Sequence, residues 1–199
     1  MNKYKQLGLT LTVMLITFYG TMVVGNYATC RDIKANLPPI YDILHDNDYV
    51  VSVLAVDIML GISNICLSLF IFYLLRYNFK KAILLLNNIN LLYGLRIITI
   101  FATAFPNSKK CETYCTEDYF TTIRTDFCGD IMFSGHTSTV FIFILYLTQE
   151  FNKLYLKIPL YTFQTLYSLA IILSRIHYTD DVIIALALTY MSFKLHRPV

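Results

Sequence analysis

The chain has 199 residues, of which 56% are hydrophobic and only 15% are charged. Soluble domains carry roughly 25% charged residues, and the mean hydropathy of +0.55 also points away from a soluble domain. A net charge of +3, with no basic run longer than two residues, argues against nucleic-acid binding. The composition therefore predicts an integral membrane protein and excludes a disordered or collagen-like chain.

Six segments with few or no charged residues predict transmembrane helices, because crossing a bilayer takes about 20 mostly apolar residues. They cover residues 6–30, 49–75, 82–108, 131–149, 158–174 and 177–195. The sixth is the least apolar, because Asp180 and Asp181 lie near its start. The apolar runs are continuous, which favours helices over the alternating strands of a membrane barrel. We predict an all-α integral membrane protein, a six-transmembrane-helix bundle that forms a single domain over residues 1–199.

The first apolar segment has a second interpretation as a secretory signal peptide. Lys3 and Lys5 precede it, and Ala28 lies near its end, which are features of a cleaved signal. Because the apolar run is long for a signal peptide, we predict a retained helix and keep cleavage as the alternative.

Lysine and arginine counts predict that both termini face the cytosol. With the N-terminus inside, the inner segments hold nine of these residues and the outer segments hold six, and cytoplasmic loops carry the excess in membrane proteins. The acidic residues lie almost entirely in the outer segments. We therefore expect the acidic loops to face a lumen or the exterior.

Four of the five cysteines fall in predicted outer segments, and Cys66 falls in the second span. The outer four are Cys30, Cys111, Cys115 and Cys128. In an oxidising lumen some of them could pair, with three connectivities open, and free thiols are the alternative. A zinc site lacks a clear fourth ligand.

Two polar clusters lie at the outer mouth of the predicted bundle. The first comprises Asp130, Ser134, Gly135, His136 and Thr137, and the second comprises His177, Tyr178, Thr179, Asp180 and Asp181. They open the fourth and sixth spans at the same level, so two imidazoles come to one depth. Two histidines and a carboxylate suit phosphoryl transfer through a covalent phosphohistidine.

His177 and Asp181 are four residues apart, which puts them on one face if the sixth helix begins at His177. A carboxylate bonded to one imidazole nitrogen fixes the tautomer and leaves the other nitrogen as a base or nucleophile. His136 could then protonate a leaving oxygen. The alternative is that these histidines only cap helix ends at the membrane interface.

Two charges within the predicted spans form a further pair of candidates. Asp57 is about 12 Å and Arg96 about 15 Å below the outer surface, at 1.5 Å per residue. Because intramembrane charges are costly and usually have a partner, we predict that they approach each other. Such a pair would either hold the helices together or leave Arg96 to position an anionic phosphate.

Four stretches resemble, in order, motifs of the sphingomyelin synthase family. Residues 128–137, CGDIMFSGHT, resemble its C-G-D-x-x-x-S-G-H-T motif, and residues 177–182, HYTDDV, resemble its H-Y-T-x-D-V motif. Residues 37–46 are similar to its proline-rich stretch, and residues 96–106 to its R-x-x-T…T-x-x-P segment. That family is related to the phosphatidic acid phosphatase type 2 (PAP2) group, whose Lys/Arg-Pro motif has no clear counterpart here.

The resemblance implies a PAP2-like core that acts as a ceramide phosphotransferase. It implies that His177 attacks a glycerophospholipid, that Asp181 orients His177, and that His136 exchanges protons with the leaving and entering oxygens. The predicted substrate- and phosphate-binding residues are Arg96, Asp130, Ser134, Gly135, Thr137, Tyr178 and Asp57. We expect no metal ion or other cofactor, membrane lipids as partners, and a luminal or exterior site in a Golgi, endoplasmic reticulum or plasma membrane.

Two other functions fit the same residues. If water replaces ceramide, the chain is a lipid phosphatase or phospholipase C-like hydrolase. If neither reaction occurs, it is a non-catalytic lipid-binding membrane protein. For a transferase, Asp130 and the acidic loops favour a cationic headgroup, phosphocholine or phosphoethanolamine, over inositol phosphate.

Overall fold

The computed structural model describes residues 2–35, 38, 41–45, 51–103 and 133–196, and every regular element within them is an α-helix. The helices are α1 Lys3–Ala35, α2 Val53–Tyr77, α3 Phe79–Ala102, α4 Gly135–Glu150, α5 Leu154–Leu173 and α6 Thr179–Leu195. One helix coincides with each predicted span. The predicted all-α architecture is confirmed for this part of the chain.

Among the described residues, four helices are long and apolar enough to cross a membrane, namely α1, α2, α3 and α5. This supports a multi-pass membrane protein. α4 has 16 residues and α6 has 17, so each is about 25 Å long at 1.5 Å per residue, against about 30 Å of hydrocarbon. The six-span count therefore stays a prediction for α4 and α6, the two helices that carry the histidine clusters.

Both short helices begin later than the sequence predicted. The predicted fourth span began at residue 131, but α4 begins at Gly135, because the Ser134 side chain caps it by accepting a hydrogen bond from the amide of Thr137. The predicted sixth span began at His177, but α6 begins at Thr179. His177 therefore precedes the helix and does not lie on its first turn.

The first helix packs along α3 and exposes its opposite face. At one end, the Arg31 guanidinium donates to the carbonyls of Ile100, Phe101 and Thr103 where α3 ends, which satisfies carbonyls that have no intrahelical donor. Ala28 is fully buried inside the continuous α1.

The fourth helix lies between two apolar cores. Its Ile142 and Tyr146 pack in a core with α2, α3 and α6, whereas its Val140 and Ile144 pack in a second core with α5 and α6. With apolar contacts on both sides, α4 is a buried central helix. It runs parallel to α6, so both helices begin at the same end of the bundle, which we call the histidine end.

Candidate active site

The residues that lead into α4 are held by an arginine from α3. Arg96 is buried, and its Nη1 donates to the carbonyl of Phe133 over 2.8 Å. Phe133 has a φ of 23°, a strained value for a bulky residue. The arginine thus fixes the turn from which α4 starts, one residue before the Ser134 cap.

Gly135 lets Arg96 approach the first turn of α4. A Cβ built on Gly135 would overlap Nη1 of Arg96 and lie 2.8 Å from its Cζ, so any larger residue here would force the guanidinium to move. The guanidinium therefore lies against the start of α4, and its charge acts on both His136 and Asp181. Such a buried, planar donor is well suited to holding a phosphate.

The start of α6 holds the second histidine. Asp181, the third residue of α6, folds back so that its Oδ2 accepts a hydrogen bond of 3.2 Å from the amide of Tyr178. The same oxygen is 3.6 Å from Nδ1 of His177, and both side chains are almost completely buried. The predicted proximity of His177 to Asp181 is present, at a separation longer than a hydrogen bond. It arises from the cap of α6 and not from a shared helix face.

The two histidines meet where α4 and α6 begin. Their rings are 5.8 Å apart between centroids, in an edge-to-face arrangement. The amide of Ser134 donates to the carbonyl of Asp181 over 3.2 Å, which ties the two helix starts together. The N-termini of parallel helices also present amide groups and positive dipole ends at this point, which favours an anion.

The described residues leave buried polar atoms at this point without a hydrogen-bond partner. They are Nδ1 of His136 and Oγ1 of Thr137. Leaving buried polar groups unpaired is costly, so a polar ligand between the helix starts would satisfy them.

Sequence reasoning missed a short segment that packs on the start of α6. Asp42 accepts hydrogen bonds from the amide of Thr179 over 2.7 Å and from its hydroxyl over 3.0 Å. Burial alone would raise the pKa of Asp42 above its usual 3.8, but the hydrogen bonds from Thr179 and Leu44 hold the pKa below that value. The resemblance of residues 37–46 to a family motif was the available signal.

His45 reinforces the same contact. Its ring stacks on Tyr178 with centroids 5.3 Å apart, and its carbonyl accepts a hydrogen bond of 2.6 Å from Arg175. Tyr178, predicted to touch substrate, is thereby placed against residues 41–45.

The structure does not bring every predicted residue together. Seven of the predicted site residues meet at the histidine end, namely Arg96, Ser134, Gly135, His136, Thr137, His177 and Asp181. Asp130 lies outside the described residues, as do Cys111, Cys115 and Cys128. Asp57 is exposed on α2, and within the described residues no ion pair joins it to Arg96. The predicted Asp57–Arg96 pair was therefore wrong, because an equal depth along two helices does not make two side chains face each other.

Among the described residues, no group of three or more His, Cys, Asp and Glu side chains could hold a metal ion.

Comparison with known proteins agrees with this geometry. The family model "PAP2 superfamily C-terminal" matches residues 127–197, the stretch that contains both histidines and Asp181. The chain is also 29% identical over 122 residues to "Phosphatidylinositol:ceramide inositolphosphotransferase 3" from Arabidopsis thaliana. The predicted family resemblance is confirmed. The two matches support a relationship to PAP2-related sphingolipid phosphotransferases. The alignment with the plant relative covers 51% of this chain. It spans only 42% of the length of the relative.

Proposed function

We propose that the chain is a ceramide phosphotransferase that moves a phospho-headgroup from a glycerophospholipid to ceramide. The observation that carries this proposal is the meeting of His136, His177 and Asp181 beside Arg96 at the start of two parallel helices. Two imidazoles, an orienting carboxylate and a fixed cation are the groups that a phosphohistidine reaction requires.

In the first step, a ring nitrogen of His177 attacks the donor phosphorus and forms an N–P bond. Asp181 orients the His177 ring through Nδ1, so Nε2 is the attacking atom. The bond between phosphorus and the diacylglycerol oxygen breaks, and His136 gives that oxygen a proton. Arg96 and the helix N-termini stabilise the charge that develops on the phosphoryl oxygens.

In the second step, the primary hydroxyl of ceramide attacks the same phosphorus. His136, now neutral, takes the hydroxyl proton, and the N–P bond to His177 breaks. The products are a phosphosphingolipid and diacylglycerol, and both histidines return to their starting states.

The donor headgroup has two candidates with different support. The plant relative is named a phosphatidylinositol:ceramide inositolphosphotransferase, which makes inositol phosphate one candidate. The predicted acidic loops favour the cationic phosphocholine or phosphoethanolamine instead. The histidines act on the phosphodiester that all three donors share.

Hydrolysis is the second candidate function, because the PAP2 model covers the whole histidine region. Water would then attack the phosphohistidine in place of ceramide. No feature of the described site selects ceramide over water as the nucleophile, so the two functions are distinguished by identifying the reaction products.

We further propose that the histidine end faces a lumen or the exterior. Cys30, near that end of α1, is disulfide-bonded, which supports an oxidising compartment. The exposed Lys153 lies at the opposite end. Once only the plasma membrane is permeabilised, a membrane-impermeant maleimide should label Lys153→Cys above the labelling of the parent chain. Labelling that appears only after the internal membranes are also opened, or labelling of intact cells above that of the parent, would reverse the orientation.

A lipid-transfer assay tests the reaction. Membranes that contain the chain are given labelled ceramide and either phosphatidylcholine, phosphatidylethanolamine or phosphatidylinositol. We expect one donor to give a phosphosphingolipid, and His177→Ala to reduce its formation by at least about 10³-fold. The matched control is His196→Ala, which removes a histidine at the far end of α6 and should leave the rate unchanged.

The products separate the alternatives. Donor breakdown that depends on His177 but gives no ceramide product would identify a hydrolase. The absence of both activities in an inserted, folded chain would support a non-catalytic lipid-binding protein.

A further inference from the structure

A cavity lies at the end of the bundle opposite to the histidines. It has a volume of about 430 Å³ and lies between the last turns of α4 and α6 and the first turns of α5. Its polar lining includes Gln149, Asn152, Lys157, Tyr161, Tyr190 and Lys194, and we call it the lysine cavity. It is about 20 Å from His136, measured along α4 at 1.5 Å per residue.

The charge of the lysine cavity is positive. Lys157 and Lys194 come from two different helices, and none of the described residues that line the cavity is acidic. Lys157 donates a hydrogen bond of 2.6 Å to Asn152, and Lys194 lies 5.3 Å from the centroid of the Tyr190 ring. The nearby Glu150 forms an ion pair with Lys81 at 2.7 Å, so its charge is already compensated. Two ammonium groups around a cavity of this size suit one phosphate group.

The cavity also presents an acceptor that lacks a partner. Oε1 of Gln149 is buried and has no hydrogen-bond partner among the described residues. A bare phosphate diester cannot donate to it, whereas a headgroup with hydroxyl groups can. The polar lining thus matches an anionic headgroup that also carries hydroxyls.

The surroundings of the cavity favour a lipid as the source of that headgroup. α5 and α6 both pack on α4 but make little contact with each other, which leaves a side opening. Tyr161 and Tyr190 are partly exposed there, beside the exposed apolar side chains of Ile158 and Met191. Tyrosine and lysine at the end of apolar helices are typical of the membrane interface.

We propose that the lysine cavity binds an anionic phospholipid whose headgroup carries hydroxyl groups, in the leaflet opposite to the histidine end. Lys157 and Lys194 bind the phosphate, and Oε1 of Gln149 accepts a hydrogen bond from a headgroup hydroxyl. The acyl chains lie along the opening between α5 and α6. This site is independent of the proposed transfer reaction.

The test uses the full chain, purified in a neutral detergent, and a fluorescent short-chain phosphatidylglycerol as the probe. Lys157→Gln/Lys194→Gln should weaken binding about 30-fold, which corresponds to about 1 kcal/mol per lysine at 1.4 kcal/mol per tenfold. The matched control is Lys80→Gln/Lys153→Gln, which removes two exposed lysines from the same end and should bind with unchanged affinity. Lys157→Arg/Lys194→Arg should retain most of the affinity, which separates a charge effect from misfolding.

Competing ligands and the His177→Ala variant test whether the ligand is a lipid and whether it binds in the lysine cavity. Unlabelled short-chain phosphatidylglycerol should displace the probe, whereas phosphatidylcholine should not. Glycerol 3-phosphate that competes as well as the lipid would overturn the lipid assignment and leave a soluble phosphate as the ligand. An equal loss in both double glutamine variants, or a loss only in His177→Ala, would overturn the lysine cavity as the binding site.

Discussion

We propose that the two ends of the α4–α6 pair bind phosphate in different ways. At the histidine end, both helices begin, so their positive dipole ends and the buried Arg96 act together on an anion. At the lysine cavity, the same two helices end and their dipoles oppose an anion, so binding there depends on Lys157 and Lys194 together with the positive dipole end of α5, which begins at the cavity. In this proposal a single parallel helix pair supports chemistry at the end where both helices begin and lysine-dependent binding at the end where both stop.

The largest expected effect comes from Asp181→Asn at the histidine end. Asparagine can still accept the hydrogen bond from Tyr178, so α6 should keep its start, but the carboxylate that orients His177 is lost. We expect kcat for headgroup transfer to fall about 10³-fold with little change in KM. The measurement is steady-state transfer to labelled ceramide.

The neighbouring carboxylate gives the matched control for this prediction. Asp180→Asn removes an exposed charge one residue earlier and should change the rate by no more than about twofold. Phosphatidylglycerol binding at the lysine cavity should be unchanged in both variants. If Asp181→Asn also lost that binding, the two ends would not be independent and the comparison would fail.

The sequence could predict the helices and the meeting of the two histidine clusters, because both depend on local patterns. Continuous apolar runs mark the helices, and the motifs around His136 and His177 lie at the start of two of them. The later start of α6 was beyond such patterns, because it depends on Asp181 folding back onto the amide of Tyr178.

The sequence also could not predict which way a side chain points in the folded bundle. Asp57 and Arg96 were predicted to pair from depth alone, but successive helical residues turn by about 100°, and Asp57 is on the exposed face of α2. The hydrogen bond from Thr179 to Asp42 joins residues that are far apart in the sequence, and neither periodicity nor motif spacing predicts such a contact.

Gly135→Ala should have the next largest effect, because it displaces Arg96. The new methyl group would overlap the guanidinium, and a shift of about 1 Å in a positioning group can cost about 10²-fold in rate. We expect transfer to fall about 10- to 100-fold, measured in the same assay. In a double-mutant cycle, Gly135→Ala should add little to the loss caused by Arg96→Ala, because both act on one contact.

The chain offers a matched glycine for comparison. Gly94 lies on α3, two residues before Arg96, and a Cβ built there meets no atom within 4 Å. Gly94→Ala should keep full activity and stabilise α3 by up to about 1 kcal/mol. Equal losses in the two alanine variants would show that the helices, and not the Arg96 contact, are sensitive.

Asp42→Asn should have the smallest effect, since asparagine keeps one acceptor for Thr179 and loses the charge and the second acceptor oxygen. We expect a few-fold loss of transfer and a destabilisation of about 1 kcal/mol, as for a helix cap. The folded pKa of Asp42 lies below 3.8, so the stability due to the charge is fully present above that pH and is lost as pH falls through the folded pKa. The unfolding midpoints of the parent and Asp42→Asn, followed by circular dichroism, should therefore differ at neutral pH and converge below about pH 3.8.

Asp57→Asn is the control, because it removes an exposed carboxylate on α2, whereas the carboxylate that Thr179 bonds is that of Asp42. Its activity should change by no more than about twofold. A midpoint difference for Asp42→Asn that persisted unchanged at low pH would show that the charge is not what holds residues 41–45 on α6. The stacking of His45 on Tyr178 would then be the remaining contact between residues 41–45 and the start of α6, and the lysine cavity at the other end should be unaffected in either case.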